Sequence, residues 1–348
     1  MIIVRTPYRV SFFGGGTDYP TWFEDHGGAV LGTTIAYYCY IHGRNLPPFF
    51  NHKYLISYSK IEKKNLLDEI EHPVVREAIK YLQIKQGLEI QYHGDLPARS
   101  GLGSSSSFSA SILNMLHLLK GEQVNKENLA KESIYLEQTL LNENVGVQDQ
   151  ILTVHGGLNH VKIEPNGEFK VNKLELTIKK KKQFESNILM FYTGVSRFAS
   201  KIAADSISAI PKKQADLFEM QEMVDIAIET LTNGKDIDDL GLLLNESWKI
   251  KKGLASSIAP NFVDDIYSKA IKAGALGGKL LGAGGGGFMI FYVQPENKQQ
   301  VLDALSELLL VPFKTEEEGS KVIFMEDQHY SLTAMSGKNE FLKKNIRK

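Results

Sequence analysis

Two segments with different hydrophobic periods are joined by Gly94-Asp-Leu-Pro-Ala-Arg-Ser-Gly-Leu-Gly-Ser-Ser-Ser-Ser-Phe108. In residues 88–93, apolar and polar side chains alternate, which predicts a half-buried strand. From Phe108 to Leu119, apolar residues recur at helical spacing. The sequence between the two segments therefore predicts a loop that opens a helix.

The glycines and serines of this loop favour a binding site for an anion. A helix start offers unpaired backbone N–H groups and the positive end of the helix dipole. Gly101 and Gly103 would let the backbone approach a phosphate closely, and a serine hydroxyl there can also reach a phosphate-bound cation. The alternative is a flexible link between strand and helix. Pro97 ahead of the loop and the regular helical pattern behind it favour the phosphate-binding loop.

The composition is that of a folded protein without a strong charge bias. The 348 residues could fill one large domain, and their number favours two. Lys and Arg number 40 against 41 Asp and Glu, so no nucleic-acid or membrane partner is indicated. Cys39 is the single cysteine, and no run approaches the roughly 20 apolar residues of a membrane span. We expect a soluble, cytoplasmic protein.

A predicted strand from Val4 to Phe13 is broken at Gly14-Gly-Gly-Thr-Asp18. Three consecutive glycines indicate a sharp loop in which the backbone approaches another group closely. Asp18 could accept hydrogen bonds from a polyol, or it could be a turn aspartate that bonds its own backbone. The residues alone leave both alternatives open.

Two carboxylates farther along the chain also have two interpretations each. Asn125 is a candidate cap for a helix that runs to about Asn142, and Glu137 shares a face of this helix with apolar residues. A carboxylate that faces a core needs a partner, so Glu137 is either a metal ligand or a half-exposed residue at the rim. Asp149 has apolar neighbours along the chain, but a surface position is the default for an aspartate.

The lysine run at residues 179–182 predicts a solvated connection, and we place a domain boundary after it. The expected domains are residues 1–185 and 186–348. In the second, predicted helices return between predicted strands without a βαβ series, which favours an α+β layer.

A second glycine-rich segment, Gly282-Ala-Gly-Gly-Gly-Gly287, satisfies GxGxxG by letter. It is predicted to follow a helix and open a strand, which is the reverse of the dinucleotide-binding fingerprint. No GxxxxGK[ST] motif and no HRD or DFG triplet occurs, so a Walker P-loop and a protein kinase are excluded. Two glycine loops that face each other across a cleft would suit a substrate with several phosphates.

Three motifs in order resemble those of the GHMP kinases, the superfamily of galactokinase, homoserine kinase, mevalonate kinase and phosphomevalonate kinase. The first is Thr6-Pro-Tyr-Arg-Val-Ser-Phe-Phe-Gly-Gly-Gly-Thr-Asp18. The second, usually Pro-x-x-x-Gly-Leu-Gly-Ser-Ser-Ala, is matched by residues 97–106 with Ser106 in place of the alanine. The third is Gly277-Gly-Lys-Leu-Leu-Gly-Ala-Gly-Gly-Gly-Gly-Phe288.

Within that superfamily, the GGGTDY form of the first motif most resembles the D-glycero-D-manno-heptose 7-phosphate kinases, whereas galactokinases read GEHTDY. The segments Val147-Gln-Asp-Gln150 and Pro312-Phe-Lys, and the third motif, support the same resemblance. It implies an α+β fold of two domains. The amino-terminal α+β domain would have a left-handed βαβ crossover, the carboxyl domain would be ferredoxin-like, and ATP and sugar would meet between them.

The resemblance also implies roles for individual residues. Asp149 matches the aspartate that takes the proton from the anomeric hydroxyl, and Arg9 matches the arginine beside it. Ser105 and Glu137 match ligands of Mg²⁺. The sugar would be held by Gly15, Gly16, Thr17 and Asp18. The nucleotide would be bound by Pro97, Gly101, Leu102, Gly103, Ser104, Ser105, Ser106, Gly282, Gly284 and Gly285.

The implied activity is transfer of the γ-phosphoryl group of ATP to the anomeric hydroxyl of the heptose 7-phosphate, giving a 1,7-bisphosphate for nucleotide-heptose biosynthesis. A sugar phosphate needs a cationic pocket, for which Arg197 is the candidate, with Arg44 or Lys53 as alternatives. Other readings are a GHMP kinase for unphosphorylated fucose or galactose, and a non-catalytic relative that senses ATP and sugar. The expected partners are small molecules, without nucleic acid or membrane; a homodimer is left open.

Overall fold

The computed structural model describes residues 1–47, 49–195, 199–233 and 236–326. Within them, one sheet comprises the strands β1 (Ile2–Phe13), β2 (Gly28–Asn45), β3 (Tyr54–Ser57), β4 (Ile61–Lys64), β5 (Leu88–Gly94), β6 (Leu158–Ile163) and β7 (Phe169–Lys173). A second sheet comprises β8 (Ile188–Tyr192), β9 (Ala275–Leu280), β10 (Phe288–Val293) and β11 (Leu309–Val311). Two further strands, β12 (Thr315–Glu316) and β13 (Lys321–Met325), also belong to the first sheet.

The helices of the first half are α1 (Pro20–His26), α2 (Pro73–Tyr81), α3 (Ser104–Leu119), α4 (Lys126–Tyr135) and α5 (Gln148–His155). Those that follow are α6 (Ile178–Asn187), α7 (Ala199–Ala209), α8 (Gln214–Thr232), α9 (Asp239–Leu254), α10 (Asn261–Lys272) and α11 (Lys298–Ala304). A π-helical turn, Leu136–Leu140, continues α4, and shorter 3₁₀ turns lie at Leu67–Glu69, Ile210–Lys212 and Pro295–Asn297. No helix among the described residues is both long and apolar enough to cross a membrane.

The long strand β2 organises the first sheet, which has the strand order β13-β1-β2-β5-β3-β4. The first residues of β2 pair with β6 and its last residues pair with β5, while β1 follows most of its length. The strands β3 and β5 are parallel, so the chain crosses over between them through α2. The Asn166-Gly167 turn joins the antiparallel pair β6 and β7.

Helix α3, which the serine-rich loop opens, packs against β1 and β2. Its serines make this close approach possible because their hydroxyls find partners inside the fold. Ser107 Oγ donates to the Pro7 carbonyl at 2.9 Å, and Ser111 Oγ donates to Thr6 Oγ1 at 2.6 Å. The predicted loop-to-helix transition is thus confirmed, with the helix buried at the centre of the first half.

The second sheet has the antiparallel order β11-β8-β10-β9. Counted along the chain, this is the order 4-1-3-2. Helices connect its first to its second strand and α11 connects its third to its fourth, as in a ferredoxin-like fold. The predicted α+β fold with a ferredoxin-like second part is confirmed.

Two expectations about the second half need correction. The lysines at 179–182 lie in α6 and are not a solvated connection; Lys180 Nζ donates to the last-turn carbonyls of Thr230 and Leu231 in α8, where a helix end favours a cation. The strands β12 and β13, which the division at residues 185/186 assigned to the second domain, pair with β2 and β1 of the first sheet. The division itself stays a prediction.

Candidate active site

A cleft between the two sheets collects the chemically active side chains from six parts of the chain. The first glycine loop, residues 101–106, meets the second glycine loop, residues 282–287, at this cleft, where Gly101 packs against Gly282. The polar residues and glycines that line the cleft are Arg9, Ser11, Gly15, Gly16, Asp18, Tyr19, Arg99, Gly101, Gly103, Ser104, Ser105, Asn144, Gly146, Gln148, Asp149, Lys251, Lys279 and Gly282.

The first glycine loop has the backbone of an anion site. Gly101 and Gly103 have φ of +84° and +72°, and Gly103 is the residue that precedes α3. The first hydrogen bond of this helix runs from the Ser107 amide to the Gly103 carbonyl at 2.9 Å. The amides of residues 104–106 therefore have no hydrogen-bond partner among the described residues. Free N–H groups at the positive end of a 16-residue helix suit a phosphate.

The predicted nucleotide-binding residues of this loop divide into two groups. Ser104 and Ser105 line the cleft with Gly101 and Gly103, and the Ser105 side chain is exposed there. Pro97 is exposed outside the cleft lining, and Leu102 is buried in the core, where its carbonyl accepts a hydrogen bond from the Arg9 amide at 3.0 Å. Leu102 therefore supports the loop from behind.

Arg9 on β1 and Asp149 on α5, 140 residues apart, form a bidentate ion pair beside this loop. Arg9 Nε donates to Asp149 Oδ1 at 2.7 Å, and Arg9 Nη2 donates to Asp149 Oδ2. The remaining Nη1 donates to the Gly101 carbonyl at 2.6 Å. The Arg9 side chain is 5% exposed and that of Asp149 is 25% exposed. The surface position that is the default for an aspartate does not hold, because Asp149 faces the cleft with its carboxylate oriented by the arginine.

The loop after β1 brings Gly15, Gly16 and Asp18 to the cleft, but not Thr17. The Thr17 hydroxyl is buried, lies 2.8 Å from the Gly14 carbonyl and accepts a hydrogen bond from the Ala29 amide at 3.1 Å, so it holds the loop closed. Asp18 Oδ1 accepts from the Gly16 amide at 2.9 Å, which is turn-type bonding, yet the residue also lines the cleft. Burial raises the pKa of Asp18.

Glu137 lies in the π-helical turn and is 1% exposed, so the half-exposed alternative does not hold. Its Oε2 accepts hydrogen bonds from Ser106 Oγ at 3.0 Å and from Gln150 Nε2 at 2.6 Å. Its Oε1 is buried and has no hydrogen-bond partner among the described residues. Burial raises the pKa of Glu137 to about 7. The side chain of Ser106, a residue that was predicted to contact the nucleotide, links the first glycine loop to this carboxylate, while its backbone amide has no partner among the described residues.

The second glycine loop follows a strand, β9, and not the predicted helix, and it connects β9 to its antiparallel neighbour β10. A dinucleotide fingerprint is excluded for the same reason as before, because no helix begins there. Gly282 lines the cleft, and a Cβ on it would overlap Gly101 Cα. Gly284 and Gly285, also predicted to bind nucleotide, are not part of the lining; the Gly285 amide donates to the Ile258 carbonyl at 2.9 Å.

Two lysines that the sequence analysis did not single out reach the cleft from the second sheet and its helices. Lys279 Nζ donates to the Phe12 carbonyl of β1 at 2.6 Å and thereby ties the two sheets together. Lys251 Nζ donates to the carbonyls of Leu280 at 3.3 Å and Gly282 at 2.6 Å. Burial lowers the pKa of Lys279 well below its usual value and that of Lys251 to about 8. A lysine in an otherwise apolar strand was the signal that could have identified Lys279.

Ser11 and Gln148 were also missed, and both leave a polar atom without a partner at the cleft. Ser11 Oγ and Gln148 Oε1 are buried and have no hydrogen-bond partner in the described part of the chain. Both lie next to Gly15, where a Cβ would be 3.6 Å from Ser11 Oγ and from Gln148 Nε2. Such atoms suit the hydroxyl groups of a bound polyol. The adjacency of Gln148 to Asp149 in sequence was the available signal.

Of the proposed cations for a sugar phosphate, Arg197 lies outside the described residues. Arg44 pairs with Glu89 across β2 and β5, with a 2.7 Å bond from Nε, and does not line the cleft. Lys53 lies over the ring of Tyr54 and is also outside the lining. The basic residues that line the cleft within the described residues are Arg9, Arg99, Lys251 and Lys279.

Comparison with known families finds a match to the same family in each half of the chain. Residues 73–157 match the GHMP kinases N terminal domain, and residues 226–309 match the GHMP kinases C terminal domain. The chain belongs to the GHMP kinase family. The N-terminal match includes the first glycine loop and Asp149, and the C-terminal match includes Lys251 and the second glycine loop. GHMP kinases are ATP-dependent phosphotransferases, and this protein is therefore an ATP-dependent phosphotransferase of the GHMP sugar kinase class.

Among related GHMP kinases, D-glycero-alpha-D-manno-heptose 7-phosphate kinase of Campylobacter jejuni is 27% identical over 322 residues, covering 87% of this chain and 93% of the relative. A bifunctional fucokinase/GDP-fucose pyrophosphorylase of Arabidopsis thaliana is 26% identical over 86% of this chain, which spans 30% of that longer protein. The crystal structure of a D-glycero-D-manno-heptose 1-phosphate kinase from Bacteroides thetaiotaomicron covers 94% of this chain and all of its own, with a TM-score of 0.76 and 22% identity. The last similarity establishes the fold.

Proposed function

We propose that this GHMP kinase transfers the γ-phosphoryl group of ATP to the anomeric hydroxyl of D-glycero-D-manno-heptose 7-phosphate. The observation that carries the proposal is the pair of glycines at Gly15 and Gly16, which line the cleft without side chains where galactokinases have a glutamate and a histidine. A Cβ at Gly15 would meet only the side chains of Ser11 and Gln148, at ordinary contact distance. Room at this position suits a longer sugar. The similarity to the Campylobacter jejuni enzyme over most of both chains supports the same substrate.

In this proposal Asp149 accepts the proton of the attacking hydroxyl while the oxygen bonds to the γ-phosphorus and the bond to the β-phosphate oxygen breaks. Phosphoryl transfer depends mostly on positioning and on charge neutralisation. The bidentate bond from Arg9 fixes the carboxylate, and the third contact of Arg9, to Gly101, relates that carboxylate to the phosphate-binding loop. The sugar hydroxyls next to the reacting one would be bound by Ser11, Gln148 and Asp18.

Mg²⁺ fits the residues between the loop and the π-helical turn. Glu137 Oε1 is a buried carboxylate oxygen without a partner in the described structure, which a cation would satisfy, and Ser105 presents an exposed hydroxyl at the cleft. No group of three or more His, Cys, Asp or Glu that could hold a metal exists among the described residues. That is in keeping with Mg²⁺, which proteins usually hold through one or two carboxylates together with substrate phosphates. The ion would neutralise phosphate charge.

The second candidate is a kinase for an unphosphorylated sugar, favoured by the fucokinase relative. The two candidates differ in whether the sugar carries a phosphate that needs a cation. Arg197 is the proposed cation for the 7-phosphate. If it binds that group, Arg197→Ala raises KM for the phosphorylated sugar and leaves KM for ATP unchanged. Arg44→Ala, which removes a cation outside the cleft, is the matched control and should change neither.

The deciding experiment is ADP release with ATP and Mg²⁺ for D-glycero-D-manno-heptose 7-phosphate, the unphosphorylated heptose, galactose, fucose and mevalonate. We expect turnover with the 7-phosphate alone. Turnover with a neutral sugar would exclude the heptose phosphate as the dedicated substrate and leave the sugar kinase assignment unchanged. Absence of turnover across the panel, with ATP bound, would favour a non-catalytic relative that senses ATP and sugar.

A further inference from the structure

Lys251 carries a positive charge into the cleft without a matching negative one. Its ammonium group has two backbone acceptors, the carbonyls of Leu280 and Gly282. An ammonium group can donate three hydrogen bonds, and the described residues provide no third acceptor and no carboxylate within salt-bridge distance. The residue nevertheless lines the cleft. A partly buried charge without a counter-charge is unfavourable, so this arrangement is suited to an anionic ligand.

The neighbouring charged groups do not supply that counter-charge, although several are near enough to influence Lys251. Asp149 is already paired with Arg9, and Asp18 accepts hydrogen bonds from backbone amides of its own loop and of Gln148. Lys279 on β9 adds a second positive charge, whose Nζ donates to the Phe12 carbonyl. The basic residues that line the cleft within the described residues are Arg9, Arg99, Lys251 and Lys279. Arg9 pairs with Asp149, whereas neither Lys251 nor Lys279 has a carboxylate within salt-bridge distance among the described residues.

The position of Lys251 also connects it to both glycine loops. Lys251 Nζ bonds the carbonyl of Gly282, and Gly282 packs directly on Gly101 of the first loop. Lys251 thus holds the Gly282 side of the contact between the two loops, and an anion bound at the amides of the first loop would lie on the Gly101 side of the same contact.

We propose that Lys251 is a phosphate-binding residue that donates its third N–H to a phosphoryl oxygen in the cleft while its other two hold the second glycine loop in place. Two phosphates could supply that oxygen: the terminal phosphate of the nucleotide, or the phosphate already on a sugar substrate. The chemistry is the same for both. The nucleotide alternative depends only on the ATP-dependent activity of the family, whereas the sugar alternative rests on the heptose phosphate proposed above.

The charge state of Lys251 gives this role a pH dependence. Burial lowers its pKa to about 8, and Arg9 shifts the pKa in the same direction, while Asp18 and Asp149 act against the shift. The free enzyme therefore loses this charge as the pH rises through about 8. Phosphate binding should weaken over the same range, and kcat/KM for ATP should fall at alkaline pH with an apparent pKa near that value.

The test compares Lys251→Met, which removes the charge, with Lys251→Arg, which keeps it. Lys249→Met is the matched control, because Lys249 lies on the same helix with a 58% exposed side chain that pairs with Glu246. Titration calorimetry would measure the binding of AMP-PNP, of ADP, of the heptose 7-phosphate and of the unphosphorylated heptose. Thermal unfolding of each variant would identify any loss of folding.

We expect Lys251→Met to weaken AMP-PNP binding by roughly 10- to 100-fold, as for the loss of a charged hydrogen bond, with ADP binding near that of the wild type. A comparable loss for the sugar 7-phosphate, but not for the neutral heptose, would also support the proposal and would identify the sugar phosphate as the partner. In Lys251→Arg, phosphate binding should be largely retained. The fall of kcat/KM for ATP at alkaline pH should move to a higher pH, because the guanidinium group stays protonated.

Unchanged binding of both phosphate ligands in a folded Lys251→Met protein would overturn the proposal. An equal loss for ADP, AMP-PNP and the neutral sugar would also overturn it, because it would show that Lys251 only supports the loop. If Lys251→Met does not fold, the pH profiles of the wild type and of Lys251→Arg decide: identical alkaline limbs would exclude Lys251. If no heptose is bound at all, the nucleotide measurements still test Lys251, so failure of the heptose assignment is distinguishable from failure of this inference.

Discussion

The first glycine loop opens helix α3, whereas the second connects the antiparallel strands β9 and β10, and this difference gives them different means of binding a phosphate. The first loop leaves the amides of residues 104–106 without partners in the described structure and points them out of a helix N-terminus. The second uses amides internally, for example those of Gly285 and Gly287, which donate to the Ile258 carbonyl and to Thr193 Oγ1. A glycine-rich composition therefore indicates close backbone approach, and the adjoining element decides whether amides remain for a ligand.

The two loops also obtain their charges differently. Arg9 donates to the Gly101 carbonyl of the first loop and also to Asp149, so the first loop has a carboxylate beside it. Lys251 bonds the Gly282 carbonyl of the second loop and brings only a positive charge. We infer that the first side contains the groups for proton transfer and the second completes the charge balance of the phosphates.

The largest expected effect concerns the carboxylate on the first side. Asp149→Asn should lower kcat by roughly 10²- to 10⁴-fold, the usual contribution of a general base, while ADP binding is retained. Steady-state ADP release and calorimetric ADP binding would measure the two quantities. Glu89→Gln breaks the Arg44–Glu89 pair, which lies outside the cleft, and should leave kcat unchanged. Normal turnover of Asp149→Asn would mean that the side of the first loop does not supply the group for proton transfer, so that this difference between the two loops does not exist.

The next effect tests the contact between the loops from each side. A methyl group at Gly101 would overlap the Leu281 carbonyl, and one at Gly282 would overlap Gly101 Cα, so Gly101→Ala and Gly282→Ala should each lower kcat/KM by about 100-fold through displaced backbone. ADP affinity should fall more in Gly101→Ala, because its loop carries the free amides.

The control for this pair is Gly121→Ala. Gly121 has a similar φ of +78°, but nothing lies within 4 Å of its Cβ position, so the variant has the left-handed strain without the collision. It should lose about 1 kcal/mol of unfolding free energy and keep its kinetics. Equal loss of ADP affinity in Gly101→Ala and Gly282→Ala would indicate that both loops bind the nucleotide directly.

A smaller effect separates two serines within the first loop. Ser105→Ala should lower kcat/KM by roughly 10-fold without a change in stability, because its exposed hydroxyl faces the cleft. Ser106→Ala should instead lower the unfolding free energy by about 1–3 kcal/mol, because it removes a donor from the buried Glu137 carboxylate. Kinetics and urea unfolding of both variants provide the measurement. The opposite pattern would assign the cation-facing hydroxyl to Ser106.

The smallest effect concerns the internal bonding of the second loop. Thr193 Oγ1 accepts from the Gly287 amide at 3.1 Å, and Thr193→Val removes this bond. We expect a loss of about 1 kcal/mol in unfolding free energy and turnover within a few-fold of the wild type. Thr232→Val, which affects an exposed hydroxyl at the end of α8, is the control. A loss of turnover as large as that of Gly282→Ala would show that the second loop contributes more than a closely packed wall.

Local patterns predicted much of the fold because the information lies within short segments. The change from alternating to helical periodicity located β5, the first glycine loop and α3 correctly. Asn125 caps α4 as expected, accepting a hydrogen bond from the Asn128 amide at 2.8 Å. The lysine run was misinterpreted because the acceptors of Lys180 lie about 50 residues away, at the end of α8.

The candidate site was only partly accessible from the sequence. Motif resemblance predicted Arg9, Asp149, Ser105 and Glu137 as site residues, and the structure adds the hydrogen-bond partners of Arg9, Asp149 and Glu137. The same motifs included Thr17, Leu102 and Ser106, which face inward, because a motif contains residues that support a loop as well as residues that face a ligand.

The sequence by itself determined the glycine conformations, the helix starts and the strand periods, since these depend on the backbone preferences of neighbouring residues. Only the tertiary structure decided which charges face the cleft. Lys251 meets Gly282 across 31 residues, and Arg9 meets Asp149 across 140. The orphaned oxygen of Glu137 likewise results from packing between α3 and the π-helical turn. Desolvation and charge pairing arise from contacts between distant segments, which no local pattern specifies.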